Sequence, residues 1–261
     1  MGKLIIVASG KGGTGKTTFT SQVGANLASM GHLTVLVDAD AGFRNLDIAL
    51  GLESRVVYDY SDYMSENKSI DDILVRGNEN LYFVAAPQSG ATSGFDRERV
   101  ESFWQSLKSR FEFVIADAPA GMGDGFLFAG EYADEAVIVS LSEAASLRDA
   151  DRVIEELENN GVDTIRLVLN RIRPELIEKK VLMNVDDCID VLSIPILGIV
   201  PDDVAVCGAM SSGGVLEPRG VGAGTAFLNI SRRLLGEYIP MMELDEKNGL
   251  LARVKKAFSK A

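Results

Sequence analysis

Cysteine, histidine and tryptophan are scarce in this 261-residue sequence, which holds two, one and one of them. Cys188 and Cys207 form no CxxC pair and His32 stands alone, so spacing excludes a disulfide framework, a zinc finger and a cysteine-ligated iron–sulfur cluster. The two thiols read as small apolar filler in a reducing cytoplasm, and His32 as a solvated turn residue. Long hydrophobic runs are missing too. Residues 4–7 are the only strongly apolar stretch before Ser9 and Gly10, too short for a signal peptide, and no run of eighteen apolar residues follows. The expectation is a cytoplasmic chain unless some segment attaches it to a surface. Positive charge is the last deficit: 26 Lys and Arg face 38 Asp and Glu, a net −12. That argues against a protein that coats duplex by neutralising phosphates, and no specific nucleic acid is expected as a partner. Five of the basic residues lie in 247–261 without any acid, leaving 21 basic against 38 acidic residues, or −17, on the rest. An acidic body carries a basic tail.

What the sequence does have is short apolar runs alternating with longer helical patterns. The runs cover 4–8, 33–37, 81–85, 113–116, 136–141, 165–169 and 196–200. Each is rich in Val and Ile without strict alternation, the pattern of strands covered on both faces. Helical patterns at 16–30, 97–110 and 147–160 lie between them, the first and last closed by Gly31 and Gly161. This repetition predicts an α/β fold with right-handed crossovers, a mostly parallel central sheet and helices on both faces. Ligands in such sheets bind beyond the carboxyl ends of the strands. With no internal repeat or low-complexity tract, one domain over 1–243 and a tail over 244–261 are expected.

Gly10-Lys11-Gly12-Gly13-Thr14-Gly15-Lys16-Thr17 fits G-x-x-x-x-G-K-[ST], directly after the first run and opening the first helical pattern. That context makes the fold a P-loop NTPase. Glycines let backbone N–H groups turn inward around phosphate oxygens, and the helix N-terminus adds a favourable field. Residues Gly10 to Thr18 are therefore the candidate nucleotide loop, with Lys16 reaching the β- and γ-phosphates and the Thr17 hydroxyl ligating Mg²⁺.

Two strand ends are acidic. Val37-Asp38-Ala39-Asp40 leads into Gly42-Phe43-Arg44-Asn45-Leu46-Asp47, and Ala116-Asp117 leads into Ala118-Pro119-Ala120-Gly121. Carboxylates there would face Mg²⁺ and the attacking water, a solvated turn being the plain alternative for the first of them. Asp117 has the placement of a Walker B aspartate that holds Mg²⁺ through water, and Asp40 joins Thr17 and Asp117 as a candidate ligand. Asn170 ends the sixth run and Pro201-Asp202 follows the seventh at the same edge. The Asn170 amide can donate and accept, which matches an adenine edge; a capping Asn and a turn Asp are the alternatives. No N-K-x-D motif occurs, since Asn67-Lys68-Ser69-Ile70 lacks the acid, so ATP is favoured over GTP.

The second lysine inside the loop, Lys11, gives Lys11-Gly12-Gly13-Thr14-Gly15-Lys16-Thr17-Thr18, which resembles the deviant Walker A motif of the MinD/ParA group of ATPases. Phe43-Arg44-Asn45-Leu46-Asp47, Arg55-Val56-Val57-Tyr58-Asp59, Phe111-Glu112-Phe113, Ala133-Asp134-Glu135-Ala136 and Arg148-Asp149-Ala150-Asp151-Arg152 extend the resemblance over most of the chain. They are similar to the septum-site-determining branch of the group. Thr14 departs from the usual Val, and Ser142-Glu143-Ala144-Ala145-Ser146 also differs in detail. The resemblance implies slow, Mg²⁺-dependent ATP hydrolysis with Lys11, Lys16 and Asp40 as catalytic residues. Lys11 would reach the partner's nucleotide across an ATP-dependent homodimer, and Asp40 would position water. Asp38 and Asn45 would belong to one switch, Pro119 and Gly121 to the other, and Asn170, Pro201 and Asp202 would hold the base. The resemblance further implies recruitment of a MinC-like division inhibitor, discharge by a MinE-like or other topological factor, and placement of the division septum. Within the same group, a ParA-type DNA-segregation ATPase would need a basic surface that this acidic body lacks. An iron–sulfur relative would need cysteines near the second switch, and a flagellar-number regulator is the remaining alternative.

The tail can be read on a helical wheel. With Leu250 at zero and 100° per residue, Ala257 falls near 340°, Val254 near 40°, Phe258 near 80° and Leu251 near 100°. Lys255, Lys256, Lys260 and Arg253 fill the rest, at about 140°, 240°, 280° and 300°. A narrow apolar face beside a basic one predicts a helix lying in the plane of an anionic membrane surface, peripheral on the cytoplasmic face of the inner membrane in the ATP state.

Overall fold

The computed structural model describes residues 1–88 and 94–244. Eight strands form one sheet: β1 (Lys3–Ala8), β2 (Thr34–Asp38), β3 (Val75–Arg76), β4 (Leu81–Val84), β5 (Phe113–Asp117), β6 (Glu135–Ser140), β7 (Thr164–Ile172) and β8 (Ile196–Pro201). The helices of its first half are α1 (Lys16–Ser29), α2 (Leu46–Leu50), α3 (Tyr60–Met64), α4 (Ile70–Ile73) and α5 (Arg97–Arg110). Those of the second half are α6 (Asp124–Gly130), α7 (Ala144–Asn159), α8 (Pro174–Glu178), α9 (Val185–Leu192), α10 (Ala205–Ser212) and α11 (Ala223–Leu234).

The strand order is β3-β4-β2-β5-β1-β6-β7-β8, and every pairing is parallel except β3 with β4. All seven apolar runs are strands. The eighth, β3, has only two residues, too short to leave a periodic signal.

Strand side chains alternate between faces, so each central strand supplies two cores. Leu4, Ile6 and Ala8 of β1 face a core with Phe103, Trp104 and Leu107 of α5, Phe126 of α6 and Leu157 of α7. Ile5 and Val7 face the other core, with Phe19, Val23 and Leu27 of α1 and Phe227 and Ile230 of α11. This two-sided burial explains why the strand sequences read as continuous apolar runs. Trp104 keeps its indole N–H satisfied inside the first core by donating to the Phe128 carbonyl at 2.7 Å. Helix starts are set locally: the Asp96 carboxylate accepts the Arg99 N–H at 3.0 Å to open α5, and Asn184 accepts the Asp187 N–H at 2.8 Å to open α9.

Three expectations are revised or left aside. The sixth run does not stop at Leu169: β7 continues to Ile172 through a register shift, with Arg171 at φ 54°. Asn170 therefore sits inside an irregular strand end rather than after it. His32 is not simply solvated, because Nδ1 lies 2.8 Å from Glu112 and its ring packs edge-on to Phe113. The tail helix, with Leu250, Leu251, Arg253, Val254, Lys255, Lys256 and Phe258, lies outside the described residues. Cys188 is buried, where desolvation pushes its thiol up to about 11, and Cys207 is exposed; neither forms a disulfide. Among the described residues no helix is long and apolar enough to cross a membrane.

Candidate nucleotide-binding site

The loop from Gly10 to Gly15 joins the buried end of β1 to α1, and its geometry depends on glycine at two close approaches. A Cβ on Gly15 would lie 2.2 Å from Asn170 Nδ2 in a backbone already at φ 97°, and one on Gly10 would lie 2.2 Å from the Asp149 main chain. The loop is tied to β7 as well, because the Asn170 amide nitrogen donates to the Thr14 carbonyl at 2.7 Å. Asn170 Oδ1 accepts the Arg171 N–H at 2.9 Å. Thr14 is buried and does not line the cavity described below.

Lys16 is nearly buried and donates from Nζ to Ser9 Oγ at 2.8 Å, while that hydroxyl donates to the Lys11 carbonyl at 2.8 Å. Burial lowers the ammonium pKa, and the charges of Asp117 and Asp40 pull it back up. The cation is thus held beside acids but bound to none, ready for a polyphosphate. The Thr17 hydroxyl donates to Asp117 Oδ2 at 2.6 Å, and Thr20 contacts the other oxygen at 3.4 Å. Asp117 is pushed up to about 6, first by burial, against the hydrogen bond from Thr17.

Register places Asp38 of β2 directly beside Asp117 of β5. Burial and that neighbouring charge push Asp38 up to about 8. Its role differs from the one expected of an edge carboxylate. Asp38 does not line the cavity; its two oxygens accept the N–H groups of Asp40 at 2.9 Å and Leu46 at 3.1 Å, so it shapes the segment between them. Asp40 does line the cavity, and burial raises its pKa while Lys16 opposes. Thr17 is hydrogen-bonded to Asp117, and the charge of Asp40 reaches Asp117, so hard oxygen donors of the kind that suit Mg²⁺ gather at this corner. Among the described residues no group of three His, Cys, Asp or Glu side chains is placed to hold a metal ion.

A cavity of about 760 Å³ runs from this corner along the carboxyl edge of the sheet. Gly12, Gly13, Gly15, Lys16, Thr17 and Thr18 line it together with Asp40, Asn45 and Pro119, and Asn170, beside Gly15, continues the lining with Pro201 and Asp202. Gly121 is outside it but donates its N–H to the Ser9 carbonyl at 3.0 Å, tying the second acidic edge to the loop. Lys11 points elsewhere: its Nζ is 2.9 Å from the carboxylate of Glu143, the residue preceding α7. One part of the wall was not foreseen. It consists of Val206, Cys207 and Met210 from α10 and Phe227 from α11, which belong to no motif. The sequence signal nearest to them was only the Pro201-Asp202 edge.

A glycine loop between strand and helix, a lysine and threonine at its end, and two acidic strand edges over one elongated cavity define a P-loop nucleotide-binding ATPase. Residues 5–216 match the CobQ/CobB/MinD/ParA nucleotide binding domain. The septum site-determining protein MinD of Synechocystis is 41% identical over 98% of this chain and 98% of its own length. The MinD protein of Bacillus subtilis is 40% identical over 99% and 98%. Among solved structures, the MinC:MinD cell division protein complex of Aquifex aeolicus aligns with a TM-score of 0.84 and 34% identity, covering 92% of this chain and 99% of that one. MinD of Pyrococcus horikoshii, complexed with Mg-ADP, aligns at 0.78 and 26%, covering 90% and 96%. The chain belongs to the MinD family of septum-site-determining ATPases.

Proposed function

We propose that this chain is an ATP-operated switch that dimerises around nucleotide, settles on an anionic membrane through its basic tail and recruits a MinC-like division inhibitor there. The observation that carries the reading is the corner where Lys16, Thr17 and Asp40 line one elongated cavity, with Asp117 buried behind Thr17 and hydrogen-bonded to it. The bound Mg²⁺ would neutralise charge on the phosphates, held by Thr17 and Asp117 with Asp40 beside it. Lys16 leaves Ser9 to contact the β- and γ-phosphates, and Gly12 to Gly15 offer backbone N–H groups to the same oxygens. Asp40 orients the attacking water. No side-chain nucleophile is required, because phosphoryl transfer depends on positioning and charge stabilisation.

Lys11 supports the dimer reading in a specific way. Its ion pair with Glu143 is partly exposed, and such pairs contribute about 0.2–1 kcal/mol. The ammonium can therefore leave Glu143 at little cost and serve a second subunit's nucleotide. A two-fold dimer then presents two tails at once, and avidity links ATP state to membrane residence. A MinE-like or other topological regulator would discharge the dimer, giving a chain that is peripheral on the cytoplasmic face while ATP-bound. The relative solved with MinC supports an inhibitor of that kind as the partner.

The test is to size the protein with Mg-ATP and Mg-ADP, and to co-sediment it with anionic liposomes or duplex DNA. The expected result is an ATP-dependent dimer that pellets with liposomes and not with DNA. DNA-dependent pelleting without liposome binding would replace this reading with a ParA-type one.

A further inference from the structure

The base side of the cavity is roofed by α10, and α10 has an unusual attachment. None of its residues is fully buried; Val206 and Ala209 are only partly buried where they pack against the core that holds α1 and α11. It is pinned at its ends. On the N-terminal side, Asp203 accepts the Ala205 N–H at 2.9 Å and the Ala223 N–H at 3.0 Å, joining the starts of α10 and α11. On the C-terminal side the anchor is Gln22, a buried residue of α1. Its amide nitrogen donates to the Gly214 carbonyl at 3.0 Å, and its amide oxygen accepts the Leu216 N–H at 2.8 Å. Both halves of one side-chain amide are spent on the loop that follows α10. The neighbouring Ser21 hydroxyl lies 3.7 Å from the sulfur of Met210, one of the cavity-lining residues of α10.

We propose that Gln22 is a positioning residue for the base half of the nucleotide site: from the phosphate-loop helix it fixes the α10 wall of Val206, Cys207 and Met210 at the spacing that accepts an adenine ring. The inference rests on the ATP-binding reading of the cavity. A buried glutamine with its oxygen and nitrogen both bonded to main chain has no freedom to rotate without stranding a buried polar group. It therefore sets a fixed distance between α1, which carries Lys16 and Thr17, and the wall four to eight residues ahead of Gly214. An apolar Val and Met wall of fixed position favours a flat base by burial, with hydrogen-bond readout left to the opposite edge. The phosphate half does not depend on this arrangement, because its contacts come from the loop backbone, Lys16 and Thr17.

That separation gives the test. Affinities for Mg-ATP and for inorganic tripolyphosphate with Mg²⁺ are measured on the full chain and on Gln22→Leu, which keeps much of the volume and removes both hydrogen bonds. A second variant, Gln22→Glu, keeps an acceptor for the Leu216 N–H but loses the donor to Gly214, and it carries the experiment if the first does not fold. The expected outcome is ATP affinity lowered about tenfold, the cost of about 1.4 kcal/mol for binding to a wall no longer held in place, and tripolyphosphate affinity unchanged. Retained tripolyphosphate binding also reports an intact phosphate loop. Unchanged ATP affinity, or an equal loss for both ligands, would overturn the positioning role. Failure of the unsubstituted chain to bind ATP at all would instead remove the reading on which it rests.

Discussion

Thr17 and Asp117, one hundred residues apart in sequence, are joined by a hydrogen bond of 2.6 Å between hydroxyl and carboxylate. The bond brings the end of the phosphate loop and the end of β5 to one point, where a divalent cation can be shared. It also keeps the buried Asp117 from facing its neighbours without a partner.

Replacing Lys16 by Ala removes one of the two side-chain cations that line the cavity among the described residues, the other being Arg171. ATP binding, read by calorimetry, should fall below detection, and Thr17→Ala should instead raise the Mg²⁺ concentration needed for binding. Full nucleotide affinity in the Lys16 variant would remove this corner from the mechanism.

Asp40→Ala separates binding from turnover. The variant should bind ATP and dimerise yet hydrolyse at least about a hundredfold more slowly, the usual scale for a lost proton-handling or water-orienting group. Steady-state phosphate release against a binding isotherm decides it; a normal rate would reduce Asp40 to a turn residue.

Lys11→Ala should bind ATP and remain a monomer by light scattering. Because its pair with Glu143 is partly exposed, Glu143→Gln should shift stability by no more than about 1 kcal/mol. An ATP-dependent dimer of the Lys11 variant would place the lysine's role within its own subunit.

Asp38 makes stability depend on pH. Its folded pKa is raised to about 8 from the usual 3.8, so the folded form binds the extra proton between those values. Nucleotide-free protein should lose stability as pH rises from about 4 to about 8, and be flat in this contribution above that, with a ceiling of about 1.4 kcal/mol per pH unit for one group. Asp117, raised to about 6, adds to the lower part of the range. Denaturant melts of the chain and of Asp38→Asn across this range should show a stability difference that changes with pH in that direction; a constant difference would contradict the assignment.

A chain ending at Glu246 should keep ATP-dependent dimerisation and fail to pellet with anionic liposomes. The intact chain should pellet with ATP and less so as salt rises, since each basic residue near an anionic surface contributes about 1 kcal/mol. Equal pelleting with ADP would break the proposed link between nucleotide and membrane.

The strands and the phosphate loop were legible in sequence because each is encoded locally, by a run of Val and Ile or by glycines at fixed offsets from Lys16. The acidic edges were legible as positions, but the division of labour between Asp38 and Asp40 came only from the family resemblance and not from the residues themselves. It depends on which carboxylate meets the N–H groups of Asp40 and Leu46 and which meets the cavity. Ser9 beside Lys16, Glu143 beside Lys11 and Gln22 beneath Gly214 were likewise invisible. Each is an ordinary residue whose partner is brought close only by tertiary packing. β3 escaped because two residues carry no period.

β1 lies at the centre of the sheet, and its register partners begin with Phe113 opposite Lys3 on one side and Glu135 opposite Ile5 on the other. The first of these eight strands in sequence therefore waits for its neighbours until more than a hundred residues later. Contacts of such long sequence separation slow folding, because chain closure must precede the stabilisation it brings. Until residues 113–117 have been made, β1 lacks its β5 neighbour and Thr17 lacks Asp117. Nascent chains arrested before that point should be open to protease throughout, and the middle of the sheet should gain protection together with the ability to hold nucleotide.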